Sequence, residues 1–205
     1  DNDARVFQYD ALHYDLTLAF NPSGKSFSGS VSLEAEVLTE TATCVLSASN
    51  ETLSIDSVVS GGRRLMHRHE RGHLVITLPA SLPRGAHFQL TVMYHGSSGF
   101  RGAYDDGGVY FSDAGRIASS SEPQFSRRWW PCKDLPSDKA TVTTTFTVPA
   151  GMTAVSNGVL ERTEQRGRTT TFGWRTRYPI ATYLVSIAAA VYAHIEDTYV
   201  APDGT

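Results

Sequence analysis

Apolar and polar residues alternate with a period of two in several stretches of the first half of the chain, and again around residue 145. Successive side chains of a strand point to opposite faces, so this alternation predicts strands with one face buried and the other in water. No stretch of about ten residues keeps the helical period, so we predict an all-β fold. The inward positions of these strands are Tyr14, Leu16, Leu18 and Phe20; Val31, Leu33, Ala35 and Val37; Leu74, Ile76 and Leu78; Phe88, Leu90, Val92 and Tyr94; and Val142, Thr144, Phe146 and Val148.

Turn-forming residues lie between the predicted strands. Residues 21–24, 61–62 and 83–85 contain the Gly, Pro and Asn residues that tight reversals require. Ser156-Asn157-Gly158 predicts a further hairpin turn. This spacing of strands and turns favours a meander or a β-sandwich.

The apolar segment 180–193 is ambiguous, because its alanines suit a helix whereas its β-branched and aromatic residues suit a strand. We predict a buried strand here. The segment is also shorter than the about 20 apolar residues that span a bilayer. We expect residues 1–200 to form a single β domain, with residues 201–205 starting a linker after the last strand.

Composition limits the classes of partner. The 205 residues are 40% hydrophobic, as expected of a globular chain, and carry a net charge of −3. Nucleic-acid binding requires a basic surface and anionic membranes attract runs of Lys and Arg, so we expect neither partner.

Cys44 and Cys132 are too few for a disulfide framework, and the sequence leaves open whether they pair. The chain starts at Asp1 without a Met, which suits a removed signal peptide or a trimmed start, so both a secreted or periplasmic and a cytoplasmic location stay open.

Residues His69-Glu70-Arg71-Gly72-His73 match the H-E-x-x-H pattern of zinc proteases. That chemistry needs a helix, because helical spacing places both imidazoles toward one Zn²⁺ and the Glu beside the metal-bound water. Here the match lies between the turn signal at 61–62 and a predicted strand, and Gly72 interrupts it. We therefore predict an exposed strand and turn, and judge the match coincidental.

Residues 122–140 combine an isolated carboxylate, an Arg pair, two Trp residues and a Pro-Cys. The bulky residues Trp129, Trp130 and Pro131 need apolar packing, whereas Glu122 and Arg127 need water or ionic partners. The segment therefore predicts a loop that is pinned at its centre. The residues that carry a family pattern are Glu122-Pro123, Arg127, Pro131-Cys132, Asp134, Pro136 and Lys139-Ala140.

This pattern resembles the lip segment in the N-terminal domain of aminopeptidase N-type zinc metallopeptidases, the family that includes leukotriene hydrolase. We call residues 122–140 the lip segment. The resemblance implies a saddle-shaped antiparallel β-sandwich that caps a separate catalytic domain, which holds the zinc. It also implies that residues 201–205 start the linker to that catalytic domain. By the same resemblance Glu122 binds the free α-amine of peptide substrates. We interpret Arg127, Trp129 and Trp130 as packing and ion-pair residues that set the position of Glu122. The chain departs from the family at Ser120, where a Gln is often found, and at Leu135, often a Glu.

The resemblance implies no catalytic residue and no metal ligand in this chain, so the chain alone is expected to be inactive. The family's third zinc ligand after an H-E-x-x-H motif would fall on Val92, within a predicted strand. Two alternatives stay open. One is a free-standing β-sandwich binding or adhesion module, and the other is a minimal zinc hydrolase built on His69, Glu70 and His73.

Overall fold

A computed structural model describes residues 3–98, 107–193 and 195–196 of the chain. Strands dominate these residues, and the helical segments among them are the 3-10 helices Ala4–Gln8, Ser126–Arg128 and Thr182–Leu184. The prediction of an all-β fold is confirmed. The first eight strands are β1 (Tyr9–Asn21), β2 (Ser26–Val37), β3 (Thr41–Ser47), β4 (Leu53–Ser60), β5 (Arg63–Arg64), β6 (His67–Glu70), β7 (His73–Leu82) and β8 (His87–Ser97). The later strands are β9 (Gly108–Phe111), β10 (Ile117–Ser120), β11 (Lys139–Pro149), β12 (Thr153–Val155), β13 (Val159–Arg166), β14 (Thr169–Arg175), β15 (Ile180–Ala181) and β16 (Ala188–Ala190).

These strands form one large sheet and two small ones. The large sheet has the order β13-β14-β11-β1-β2-β8-β4-β5, and β15 also pairs with β11. The small sheets have the orders β12-β16-β10-β9 and β3-β7-β6. Almost all neighbouring strands are antiparallel, as predicted. The exception is the central pair β1 and β11, which is parallel from His13↔Thr141 to Ala19↔Thr147.

The three sheets bury their apolar faces in one core. The alternating residues of the large sheet, such as Leu16 and Phe146, lie in the same buried cluster as Ile76 of one small sheet and Ile117 of the other. Alternation explains this arrangement, because the long strands β1, β8 and β11 turn every second side chain inward and leave the others exposed or half-buried. The small sheets therefore pack on the large one as the second layer of a sandwich.

The strands predicted from alternation are confirmed as β1, β2, β7, β8 and β11, and the predicted reversals at 21–24, 61–62 and 83–85 are turns. The single strand predicted over 180–193 is wrong, because the segment divides into β15, a 3-10 helix and β16. Tertiary contacts interrupt the predicted strand. The Thr182 hydroxyl donates to Asp134 Oδ1 at 3.2 Å, and the Ser186 N–H donates to Asn157 Oδ1 at 2.8 Å. Side-chain partners far away in sequence thus replace the strand ladder that the local pattern favoured.

The hairpin predicted at Ser156-Asn157-Gly158 is also wrong. This segment joins β12, which pairs with β16, to β13, which pairs with β14, so it crosses between two sheets. Gly158 has a φ of 90°, and a Cβ at this position would lie 2.0 Å from the Arg175 carbonyl oxygen. The glycine is therefore required by a close backbone approach.

Within the residues that the structure describes, no helix has the length and hydrophobicity needed to cross a membrane. The predicted linker at 201–205 lies outside the described residues, and the domain boundary at residue 200 remains a prediction.

Candidate functional site

The backbone that carries Glu122 is fixed by its buried neighbour Ser121. The Trp129 indole N–H donates to Ser121 Oγ at 2.9 Å, and the Phe125 N–H donates to the Ser121 carbonyl at 2.8 Å. Ser121 is 4% exposed and Trp129 is fully buried. Along the continuation of β10 the side chains alternate, so Ser121 points inward while Ser120 and Glu122 point outward.

The Glu122 side chain is exposed at the beginning of the lip segment, in a turn that contains the cis Glu122-Pro123 peptide bond. Among the described residues its carboxylate has no hydrogen-bond or ion-pair partner. A carboxylate without a partner on a fixed backbone is able to accept hydrogen bonds from an external cation.

An ion pair fixes the middle of the lip segment. Arg127 Nε lies 3.0 Å from Asp134 Oδ2, and the Arg127 backbone N–H donates to the same oxygen at 3.3 Å. Asp134 is 1% exposed, and its other carboxylate oxygen accepts a hydrogen bond from Thr182. The Arg127 carbonyl accepts the Ser49 N–H at 2.8 Å. The ion-pair interpretation of Arg127 is confirmed, and its partner is Asp134.

Two tryptophans anchor the lip segment in the core. Trp129 and Trp130 are both fully buried, with ring centroids 6.0 Å apart. The Trp130 ring packs edge-on against Tyr14 of β1 at a centroid distance of 5.0 Å, and Trp129 lies 6.5 Å from Phe146 of β11. Such rings contribute large buried areas, so the packing interpretation of both residues is confirmed.

A second ion pair, between Lys133 and Asp138, ties the lip segment to β1. The side chains of Lys133 and Asp138 are 4% and 8% exposed and lie in direct contact. The Lys133 ammonium also donates to the Tyr9 carbonyl, and Asp138 Oδ1 accepts the Ala11 N–H at 3.3 Å. Burial raises the pKa of the Asp138 carboxyl above its ordinary value, while the Lys133 ammonium opposes that rise.

The two cysteines are buried free thiols. Cys132 pairs with Ser47 of β3 through backbone hydrogen bonds of 2.8 and 3.1 Å, which attaches the lip segment to the three-stranded sheet. Burial raises the pKa of the Cys44 thiol to about 12, and burial also raises the pKa of Cys132. Neither environment produces the reactive thiolate that cysteine catalysis needs.

The H-E-x-x-H match lies on the β6/β7 hairpin, as the sequence predicted. Glu70 and His73 face each other across the two-residue turn Arg71-Gly72, so the histidines do not share a helical face. His69 Nε2 lies 3.0 Å from the Ala48 carbonyl, and His73 Nδ1 lies 3.0 Å from the Arg71 carbonyl. Throughout the described ranges, no group of three or more His, Cys, Asp or Glu side chains is placed to hold a metal ion. The residues present do not fit a catalytic zinc.

Sequence reasoning missed Ser121, the Lys133–Asp138 pair and the contact between Asp134 and Thr182. For Ser121 no signal was present, because residues 119–121 are three consecutive serines and only the structure shows which of them is buried. The Lys133–Asp138 pair lies within the lip segment, but its further contacts are with Tyr9 and Ala11 of β1. These contacts, like that of Asp134 with Thr182, join distant parts of the chain, which no local pattern encodes.

Comparisons with known proteins give a consistent result. The sequence model of the Peptidase M1 N-terminal domain matches residues 10–184. Aminopeptidase M1 of Arabidopsis thaliana is 26% identical over 202 residues, which cover 90% of this chain and 22% of that protein. The chain thus spans about a fifth of the length of this curated relative.

Solved structures with the same fold are also known. A mutant M1 zinc metallopeptidase from Deinococcus radiodurans, bound to a Tyr-Ser-Ala substrate, matches with a TM-score of 0.81 and 28% identity over 89% of this chain and 42% of that chain. Native yeast LTA4 hydrolase matches with a TM-score of 0.70 and 23% identity over 89% of this chain and 29% of that chain, a likeness of fold alone.

Proposed function

Because this chain belongs to the Peptidase M1 N-terminal domain family, we propose that it is the non-catalytic substrate-lip domain of a zinc-dependent aminopeptidase. In this proposal the parent enzyme removes N-terminal residues from peptides, and Glu122 binds the free α-ammonium of the substrate. The observation that carries the proposal is the exposed Glu122 carboxylate, which has no partner among the described residues and follows the buried Ser121.

The chemistry of the Glu122 site suits this role. An ammonium group offers three donors, and an ionised carboxylate accepts them in short, charge-assisted hydrogen bonds. A fixed anion near a hydrolytic centre selects peptides with a free amino terminus and places the scissile bond one residue away. The contacts of Ser121 and Trp129 support the fixed geometry that such positioning needs.

Zinc belongs to the partner domain in this proposal. A catalytic zinc ion polarises a carbonyl and lowers the pKa of its bound water, but the described residues of this chain offer it no ligand set. The chain's own contribution is therefore to hold the amino terminus of the peptide against the catalytic domain. The Deinococcus radiodurans relative with bound Tyr-Ser-Ala supports a peptide as the substrate class.

Magnitudes indicate that the isolated chain does not act by itself. A hydrogen bond to a charged group contributes roughly 1.5 to 3 kcal/mol, whereas millimolar binding requires about 4 kcal/mol. We expect no hydrolysis of aminoacyl p-nitroanilides by the isolated chain with added zinc. Activity that is lost on Glu70→Gln would instead support the minimal zinc hydrolase.

The decisive experiment uses the complete enzyme. Glu122→Ala should lower kcat/KM for substrates with a free amine by about tenfold or more, since each decade corresponds to about 1.4 kcal/mol of transition-state stabilisation. Glu161→Ala, which removes an exposed carboxylate from β13, is the matched control and should leave kcat/KM unchanged. An unchanged kcat/KM in Glu122→Ala would show that Glu122 does not bind the substrate. A parent protein without a catalytic domain would favour the alternative of a free-standing binding module.

A further inference from the structure

A solvent-open hollow of about 520 Å³ lies at the end of β10 opposite to Glu122. Three connections meet around it: the β1/β2 turn, the β9/β10 turn and the segment between β11 and β12. Its volume falls in the range of about 300 to 1,000 Å³ that is usual for small-molecule sites. The side chains that define it are Phe20, Pro22, Pro149, Met152, Val191 and Arg116.

The hollow has an apolar part formed by Phe20, Met152 and Val191, while Asn21 and Ser23 of the β1/β2 turn contribute polar groups to its lining. Phe20, at 6% exposure, belongs to the core of the large sheet. Met152 is partly buried and packs against that core, whereas Val191 is 80% exposed. An apolar group bound here would remove the exposed Val191 side chain from water, which is favourable in proportion to the apolar area covered.

Arg116 supplies the one charged side chain that lines the hollow within the described residues. Its backbone is held in the β9/β10 turn, where the Arg116 N–H donates to Ser112 Oγ at 3.0 Å and the Arg116 carbonyl accepts the Ser112 N–H at 2.9 Å. Its guanidinium has no hydrogen-bond or ion-pair partner in the described parts of the chain. The nearby acid Asp113 is paired with Lys25 at 2.9 Å.

We propose that this hollow binds the carboxyl-terminal residue of an apolar peptide. The apolar side chain lies over Phe20 and Met152, and the terminal carboxylate accepts a bidentate pair of hydrogen bonds from Arg116, the geometry in which guanidinium groups recognise carboxylates. No Asp or Glu lines the hollow in the described residues, so a free ammonium would have no partner there. A free amino acid is therefore a poorer ligand than an acylated residue.

The site is independent of the substrate lip, because Arg116 precedes β10 and Glu122 follows it. Other ligand classes fit less well. A divalent cation would find no carboxylate in the lining, and a phosphate would find a single cation and would leave the apolar side chains Phe20 and Met152 without a partner. A purely apolar ligand would leave the Arg116 guanidinium without an anionic partner.

The test is a titration of the 205-residue chain followed by ¹H–¹⁵N NMR, with N-acetyl-L-leucine as the probe. We expect saturable shifts at the Gly115 and Ala190 amides. N-acetyl-L-leucinamide, which lacks the carboxylate and therefore the charge-assisted hydrogen bonds, should bind about tenfold more weakly or worse. L-leucine keeps the carboxylate but has an ammonium that meets no Asp or Glu in the lining, and it should also bind about tenfold more weakly or worse. Arg116→Gln should weaken binding of the acid by a similar factor and leave binding of the amide unchanged.

Arg84→Gln is the matched control, because Arg84 is exposed in the β7/β8 turn and does not line the hollow. It should bind N-acetyl-L-leucine like the unmodified chain. The proposal is wrong if the acid gives no saturable shift at Gly115 and Ala190 up to its solubility limit. It is also wrong if acid and amide bind equally, or if Arg116→Gln and Arg84→Gln weaken binding to the same extent.

Discussion

The lip segment and the β6/β7 hairpin both match metallopeptidase sequence patterns, but the polar residues of the two regions differ in burial and in their partners. In the lip segment, Asp134 and Lys133 are nearly fully buried and bind groups that lie far away in sequence. In the hairpin, Arg68 and Glu70 are 72% and 55% exposed at the side chain and lie 3.7 Å apart.

This difference shows what makes a pattern informative. The H-E-x-x-H match satisfies a spacing rule whose chemistry depends on a helix, and the chain forms a turn there instead. The lip pattern consists of residues that need one another, since its tryptophans, prolines and charges together hold a single loop in the core. Mutual dependence of the residues is therefore a stronger indication of a site than their spacing.

The largest expected effect is on stability, from the buried pair Lys133–Asp138. Lys133→Met leaves the Asp138 carboxylate buried without its cation, which should cost about 3–5 kcal/mol in the free energy of unfolding. The double variant Lys133→Met/Asp138→Leu should recover most of that loss, because apolar residues of similar volume replace such pairs well. Urea denaturation measures both values.

The matched control for this pair lies in the hairpin. Arg68→Met removes one partner of the exposed Arg68–Glu70 pair and should change the free energy of unfolding by less than about 0.5 kcal/mol. Equal losses in the buried and the exposed pair would refute the contrast between the two regions.

A smaller effect should come from the bond that fixes the backbone beside Glu122. Ser121→Ala leaves the buried Trp129 indole N–H without an acceptor and should cost about 1–3 kcal/mol. Ser137→Ala, at an exposed position of the same segment, should stay within about 0.5 kcal/mol. In the complete enzyme Ser121→Ala should also lower kcat/KM, and full activity in that variant would separate Ser121 from the positioning of Glu122.

The hairpin itself should contribute nothing to zinc binding. Calorimetric titration of the chain with zinc is expected to give no saturable site that depends on His69, because the two histidines are not on one helical face. His69→Ala should therefore leave the titration unchanged. A tight site that disappears in this variant would make the hairpin functional and would reverse the comparison.

The smallest effect concerns the two thiols. With the pKa of Cys44 raised to about 12, roughly one molecule in 10⁴ carries its thiolate at pH 8. Iodoacetamide should therefore modify neither cysteine until the chain is unfolded.

Because the pKa of Cys44 is higher in the folded chain than its ordinary value, the stability that this buried thiol contributes is retained below about pH 9 and is lost as the pH rises toward 12. Rapid alkylation of the native chain would show that the core beneath the lip segment opens.

Sequence patterns predicted the long strands well, because alternation records which face of a strand is buried. The positions Leu16, Leu33 and Leu90 are all within 1% of full burial. The family resemblance of the lip segment is likewise confirmed by the match over residues 10–184. The role of Glu122 stays a prediction, since its partner would be a substrate.

The failures have a common physical cause. Segment 180–193 and the turn at Ser156-Asn157-Gly158 were interpreted from local propensity, but Ser186 and Asn157 hydrogen-bond each other across 29 residues. The Lys133–Asp138 pair was similarly not predicted, because nothing in the lip segment itself indicates that the Lys133 ammonium donates to the Tyr9 carbonyl of β1. Contacts between distant parts of the chain override local preferences, and a single sequence does not record them.

The parallel pairing of β1 with β11 has a consequence for synthesis of the chain. Residue His13 of β1 pairs with Thr141 of β11, which lies 128 residues later in the sequence. The centre of the large sheet therefore cannot form until β11 has been synthesised. Until then, β1 pairs with β2 on one side only, and its other edge stays open. Open edges promote aggregation and such distant pairings form slowly. A nascent chain that stalls on the ribosome before β11 emerges should therefore need chaperone protection.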